Sequence, residues 1–203
     1  MFNMNILFAL ILIFSIIISP LQAFSEELVL AGGCFWCLEH DLEYMKGVNS
    51  VQSGYSGGDL TNPTYENHKG HQEVVLVDYD PEEVNLEKIL RLYFRNIDPL
   101  DGKGQFCDKG DSYRPVIFFK DNFEENKSQI ALISASKELK VPLDSIKVEL
   151  KSRGKFWLAE DYHQDYAINN ELKYKLYRYA CGRDNRLDKL WGDNARSTNS
   201  WSE

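Results

Sequence analysis

The chain has 203 residues, 43% of them hydrophobic and 27% charged, with a formal net charge of −8. That length suits one domain with a core of ordinary size. The acidic balance disfavours binding to nucleic acid or to an anionic membrane surface.

In chain order, the first feature is the uncharged run ILFALILIFSIII at residues 6–18, broken by Pro20 and followed by Leu21-Gln22-Ala23. A secretory signal needs an apolar stretch of about 7–15 residues and a small residue before the cut. The expectation is therefore a signal peptide over residues 1–23, cleaved after Ala23. The mature domain is then residues 24–203, exported and periplasmic. The alternative is a membrane anchor formed by residues 6–18, although the run is shorter than the ~20 residues that span a bilayer.

Glu27–Ala31 reads as a strand ending in Gly32-Gly33. Phe35, Leu38, Leu42 and Met45 recur at helical spacing, so a helix begins at Cys34 and stops at Gly47. Val48–Tyr55 and His71–Tyr79 are the next strands, separated by a polar loop over Asp59–Gly70. Leu86, Ile89, Leu90, Tyr93, Phe94 and Ile97 mark an amphipathic helix. A long loop, Asp98–Ser112, leads to a strand at Tyr113–Lys120 and a helix over Asn122–Leu139. Ile146–Leu150 is expected as an edge strand. Tyr162–Trp191 reads as partly helical, and a polar tail begins near Gly192.

This β-α-β-β-α-β order predicts an α+β two-layer sandwich of ferredoxin-like topology with a C-terminal helical extension. A thioredoxin-like fold is the rival, because it also places C-x-x-C between a strand and a helix.

Four cysteines, Cys34, Cys37, Cys107 and Cys181, permit two disulfides if the chain is exported. Cys34 sits at a helix start, where free N–H groups and the helix dipole favour an anion. The expectation is a lowered thiol pKa and a nucleophile. Two other chemistries fit Cys34-x-x-Cys37: a zinc site completed by His68 and His71, or general thiol–disulfide exchange.

Several motifs discriminate among these. GGCFWC (Gly32–Cys37), SGYSGG (Ser53–Gly58), NPTY (Asn62–Tyr65), GHQEVV (Gly70–Val75) and AEDYHQDY (Ala159–Tyr166) occur in this order across nearly all of the mature chain. In both content and order they resemble the peptide methionine sulfoxide reductase A family. The resemblance implies an α/β core of ferredoxin-like type and reduction of the S-epimer of methionine sulfoxide, free or in oxidised proteins, as part of protein repair. It implies no cofactor and no metal. Electrons would come from thioredoxin or a thioredoxin-like domain, and the protein is expected to act as a monomer.

The same resemblance assigns roles. Cys34 attacks sulfur. Glu73 protonates the sulfoxide oxygen, which would otherwise leave as oxide; its apolar neighbours in the strand would raise its pKa and keep it protonated. Tyr65 and Tyr113 hydrogen-bond that oxygen, and Asp108 occupies the family's aspartate position before Tyr113. Phe35 and Trp36 form the wall for the substrate's S-methyl group. His163 and Asp165 are expected to be structural. The resulting sulfenic acid needs a resolving thiol. This chain carries Cys37 where glycine is frequent in the family, and it lacks the glycine-rich tail that often bears the resolver. Cys37, one helical turn from Cys34, is the simplest resolver. Cys107 and Cys181 then form a structural pair or relay the disulfide outward, and Cys181 stays open as a direct resolver.

Overall fold

A computed structural model describes residues 25–202 of the chain. The signal-peptide or anchor segment lies outside the described residues. Within them, no helix is long and apolar enough to cross a membrane.

The strands are β1 (Glu26–Ala31), β2 (Val48–Ser56), β3 (Gln72–Tyr79), β4 (Gly104–Gln105), β5 (Asp108–Lys109), β6 (Val116–Phe119), β7 (Glu149–Ser152) and β8 (Trp157–Leu158). The helices are α1 (Phe35–Glu43), α2 (Leu86–Phe94), α3 (Asn122–Glu138), α4 (Tyr166–Asn169), α5 (Glu171–Ala180) and α6 (Arg183–Trp191). Together they form a mixed α/β fold around a six-stranded sheet in the order β7-β6-β1-β3-β2-β8. β1 and β3 pair antiparallel, as do β1 with β6 and β2 with β3, whereas β6 and β7 run parallel.

Period-2 alternation decides which side chains face which layer. On β1, Leu28 and Leu30 join the main core with residues of α1, α2 and α3, while Val29 and Ala31 point to the opposite face. On β3, Val75, Val77 and Tyr79 enter the main core, and Val74 faces the other way. Glu73 therefore shares its face with Val75 and Val77. Its side chain is directed into the helix layer, at the end of the strand nearest the start of α1.

Polar caps set the helix starts. The Asn85 side chain accepts from the Lys88 N–H at 2.9 Å, and the Asp121 side chain accepts from the Glu124 N–H at 2.9 Å.

Four segments differ from the sequence expectation. The strand expected at Tyr113–Lys120 begins at Val116, and Tyr113 stands in a single 3₁₀ turn, Asp111–Tyr113. Pro115 separates the two and has no N–H for a ladder. The edge strand is Glu149–Ser152, not Ile146–Leu150. Ile146 and Val148 are apolar because they pack into the core, ahead of the ladder. The Asp98–Ser112 loop contains the β4–β5 hairpin, whose two-residue strands are too short to carry a period. The polar tail is docked: the Arg95 guanidinium is buried, pairs with Glu138 at 2.7 Å and donates to the Asn199 carbonyl at 2.7 Å, with Trp201 against it.

Candidate active site

The Gly32-Gly33 pair carries the chain from β1 to α1. Gly33 has φ +86°, and a Cβ there would lie 2.7 Å from the Gln105 side chain. Only glycine allows both that turn and the close approach of the β4–β5 hairpin. The hairpin is held by the buried Gln105 amide. Its oxygen accepts from the Asp98 N–H at 2.7 Å, and its nitrogen donates to the Asp98 carbonyl at 2.8 Å. Cys34 then stands at the N-cap of α1, and Cys37 lies one turn on; both thiols are free and buried.

One pocket of about 50 Å³ collects Cys34, Phe35, Trp36, Tyr65, Glu73, Asp108 and Tyr113, together with Tyr177. The first seven were expected from the sequence and come from five separate segments. Tyr177 was not expected. It lies on α5 and donates from its hydroxyl to Asp108 Oδ2 at 2.6 Å. Its signal in the sequence is faint: Tyr174 and Tyr177 are three residues apart on the inner face of α5, among lysines and Arg178. Of the three resolving candidates, Cys37 is the one left free, because Cys107 and Cys181 are joined in a disulfide that spans 74 residues. That bridge links the residue before Asp108 to the residue that caps α5, four after Tyr177.

Glu73 is 1% exposed. Its Oε2 accepts from the Phe35 N–H, the first free donor of α1, at 3.1 Å. Burial pushes its pKa from the ordinary 4.5 to about 8, against the lowering effect of the Phe35 N–H and the Tyr113 hydroxyl. Glu73 is thus a neutral acid at pH 7.

The expected lowering of the Cys34 pKa is not observed. The residue is 5% exposed, and burial pushes its thiol well up, as do the hydrogen bond to Cys37 and the negative charge nearby. The nearest helix N–H is already given to Glu73. In the resting site burial keeps the proton on Cys34, and the neighbouring thiol pair lowers the Cys37 pKa in turn. Burial also raises Asp108, Tyr65 and Tyr113, so both phenols are donors throughout the neutral range.

The AEDYHQDY segment supports this pocket from behind. Glu160 accepts from the Tyr65 N–H and from the Tyr55 hydroxyl, each at 2.9 Å, and so fixes the Tyr65 loop against β2. His163 Nδ1 accepts from the Trp36 indole N–H at 3.0 Å. Its expected structural role therefore has a specific object, the orientation of Trp36. Trp36 also stacks on Tyr166, with ring centroids 3.7 Å apart and planes 8° from parallel. Gln164 bonds both the N–H and the carbonyl of Ser53. Asp165 precedes α4 in the left-handed conformation. His71 is engaged in the fold: Nδ1 accepts from the Gly58 N–H at 3.2 Å and Nε2 meets the Leu60 carbonyl at 2.8 Å.

A buried cysteine beside a protonated carboxylic acid, two phenols and an aromatic wall fits the class of thiol-dependent oxidoreductases, in which thiol attack is paired with proton donation. Residues 26–195 match the family model described as Peptide methionine sulfoxide reductase. The chain is 46% identical over 171 residues to the Peptide methionine sulfoxide reductase MsrA/MsrB of Vibrio cholerae. That match covers 82% of this chain and 45% of the Vibrio protein, so the chain spans less than half of that relative. It is 45% identical over 172 residues to the Peptide methionine sulfoxide reductase MsrA 2 of Caulobacter vibrioides, covering 83% of this chain and 86% of the relative. Among solved structures it resembles reduced Mxr1 from Saccharomyces cerevisiae, with a TM-score of 0.68 and 25% identity over 74% of this chain and 88% of that one. The chain belongs to the peptide methionine sulfoxide reductase A family. It is an oxidoreductase that reduces methionine sulfoxide by thiol chemistry.

Proposed function

We propose that Cys34, Glu73 and Cys37 perform this reduction in two balanced steps, on the S-epimer of methionine sulfoxide, free or in oxidised proteins. In the first, Cys34 sulfur attacks the sulfoxide sulfur while Glu73 gives its proton to the oxygen. The net change is thiol plus sulfoxide to sulfenic acid plus methionine; the oxygen ends on Cys34. In the second, the Cys37 sulfur attacks the sulfenic acid, a Cys34–Cys37 disulfide forms, and water leaves. A dithiol reductant of the thioredoxin type then restores both thiols.

The observation that carries this reading is the buried Glu73 carboxyl, held by the Phe35 N–H beside Cys34, where burial raises its pKa to about 8. Tyr65 and Tyr113 line the same pocket and would bond the oxygen. Phe35 and Trp36 would receive the S-methyl group, with Asp108 and Tyr177 closing the far side. The β6-β1-β3-β2 order supports a ferredoxin-like reading of the core. We further assign the protein to the periplasm, on the strength of the apolar run at residues 6–18. Separate assays with the S- and R-epimers of methionine sulfoxide and a small dithiol test the reading. Methionine should form from the S-epimer alone; turnover of the R-epimer at a comparable rate would reject it.

A further inference from the structure

Cys37 does not face Cys34 alone. Charged or titratable groups surround it: Asp41 on α1; Tyr166 on α4; Tyr174, Tyr177 and Arg178 on α5; Arg183 on α6; Glu73 on β3; and Asp108 on β5, bonded to Tyr177. Tyr174, Tyr177 and Glu73 hold their protons at neutral pH. Asp41, Asp108 and the two arginines set the local charge.

The arginines are not equivalent. Arg178 is saturated by carboxylates. It donates to both oxygens of Asp41 at 2.8 and 3.1 Å, and to Asp184 at 2.8 and 3.1 Å. Arg183 is 1% exposed and far less neutralised. Its closest acceptor is the neutral Asn96 carbonyl, at 2.6 Å, and Asp41 stands off at 3.5 Å. Its guanidinium lies over the Phe106 ring at 4.6 Å, and Nη1 would be 3.8 Å from a Cβ on Gly33. The Nε–H has no partner among the described residues. A buried cation costs several kcal/mol unless it meets negative charge. Asp41 and, across the site, Asp108 and Asp184 offset its charge without a direct hydrogen bond, and the guanidinium stays between the backbone that precedes Cys34 and Asp41, one turn of α1 beyond Cys37.

We propose that Arg183 is a positioning residue for the second half-reaction, holding negative charge on the Cys37 sulfur as it attacks the Cys34 sulfenic acid. This rests on Cys37 being the resolver. Cys37 thiolate and Cys34 sulfenic acid then give the disulfide and hydroxide, which takes up the thiol proton released earlier and becomes water. Arg183 takes no part in the first half-reaction, where charge develops on the sulfoxide oxygen beside Glu73. The bond to Cys34 is the largest lowering influence on the Cys37 pKa, and Arg183 adds to it as the strongest of the neighbouring charges.

The test is rapid quench of the full chain with S-methionine sulfoxide and no reductant, between pH 6 and 9. Methionine and the disulfides are quantified separately by mass spectrometry. Arg183→Met should still release about one equivalent of methionine. Its Cys34–Cys37 bond should form about tenfold more slowly near pH 6.5, with the acid limb moved up by about one pH unit. Arg183→Lys should recover most of that loss. Asp41→Asn, which removes the opposing anion, should move the limb down, and it decides the matter if the methionine variant does not fold. Profiles that superimpose on the parent chain overturn the role of Arg183, as does a methionine burst that falls in step with the disulfide. If the parent chain forms a bridge from Cys34 to Cys107 or Cys181 first, the resolver reading itself fails, which is a different result from unchanged variants around a normal Cys34–Cys37 bridge.

Discussion

The two sides of the active-site pocket are held by different means. Cys34 and Glu73 belong to the sheet and its first helix. β3 is paired with β2 along its length and with β1 from Val74 onward, and Glu73, paired to Tyr55, is locked by the Phe35 N–H. Asp108 and Tyr177 sit on a two-residue hairpin strand and a surface helix, joined by one hydrogen bond and the Cys107–Cys181 disulfide. The acid and the nucleophile thus inherit rigidity from the core, while the opposite wall depends on a cross-link. Groups that need sub-ångström placement gain most from regular, paired elements. A wall on short, peripheral elements needs a covalent tie.

The contrast is most open to attack at Glu73. Glu73→Gln keeps the bond from the Phe35 N–H but has no acidic proton, so methionine formation should fall by about 10²–10⁴-fold. A smaller loss in a single-turnover assay would mean that another donor serves the oxygen. Across the pocket, Tyr177→Phe removes the 2.6 Å bond to Asp108. A charge-assisted hydrogen bond of this kind is worth about 1.5–3 kcal/mol, which predicts a drop of about 10- to 150-fold in kcat/KM if it is fully lost. Replacing Cys107 and Cys181 together by serine should cost about 2–4 kcal/mol in chemical denaturation. The same pair of changes should reduce activity less than the Tyr177 change does, since the hydrogen bond survives the loss of the tie. If the double variant instead loses all activity while folded, the bridge is part of the electron path. The smallest effect is expected from His163→Leu. It strips the acceptor from the Trp36 indole, but the stack on Tyr166 holds the ring, so KM should rise by only about two- to fivefold.

Much of the core side was legible in the sequence. GGCFWC and GHQEVV placed the nucleophile and the acid, and the parity of Glu73 with Val75 and Val77 placed its carboxyl in the helix layer. The peripheral side was legible in part. Asp108 is legible only through the family resemblance, which puts an aspartate before Tyr113; its hairpin is too short for a pattern, and Tyr177 carries no motif. α5 is inverted relative to an ordinary amphipathic helix. Tyr174 is buried and Arg178 faces inward, while Leu172, Leu176 and Tyr179 are exposed. Helical periodicity therefore points away from its functional face. The Cys34 pKa departs from the sequence expectation for a similar reason. Position at a helix start was visible; burial, and the transfer of the nearest N–H to a glutamate 38 residues away, were not.

The central claim is that Glu73 is a buried neutral acid at working pH. Its folded pKa of about 8 lies above the ordinary 4.5, so its contribution to stability is complete below about 4.5 and lost as pH rises through 8. The direct measurement is the pH dependence of single-turnover methionine formation, set beside thermal denaturation of the parent chain and Glu73→Gln. The parent rate should decline above about pH 8, and the variant should lose less stability than the parent between pH 6 and 9. A parent rate that stays level to pH 9, with the two stability curves parallel, would contradict the claim.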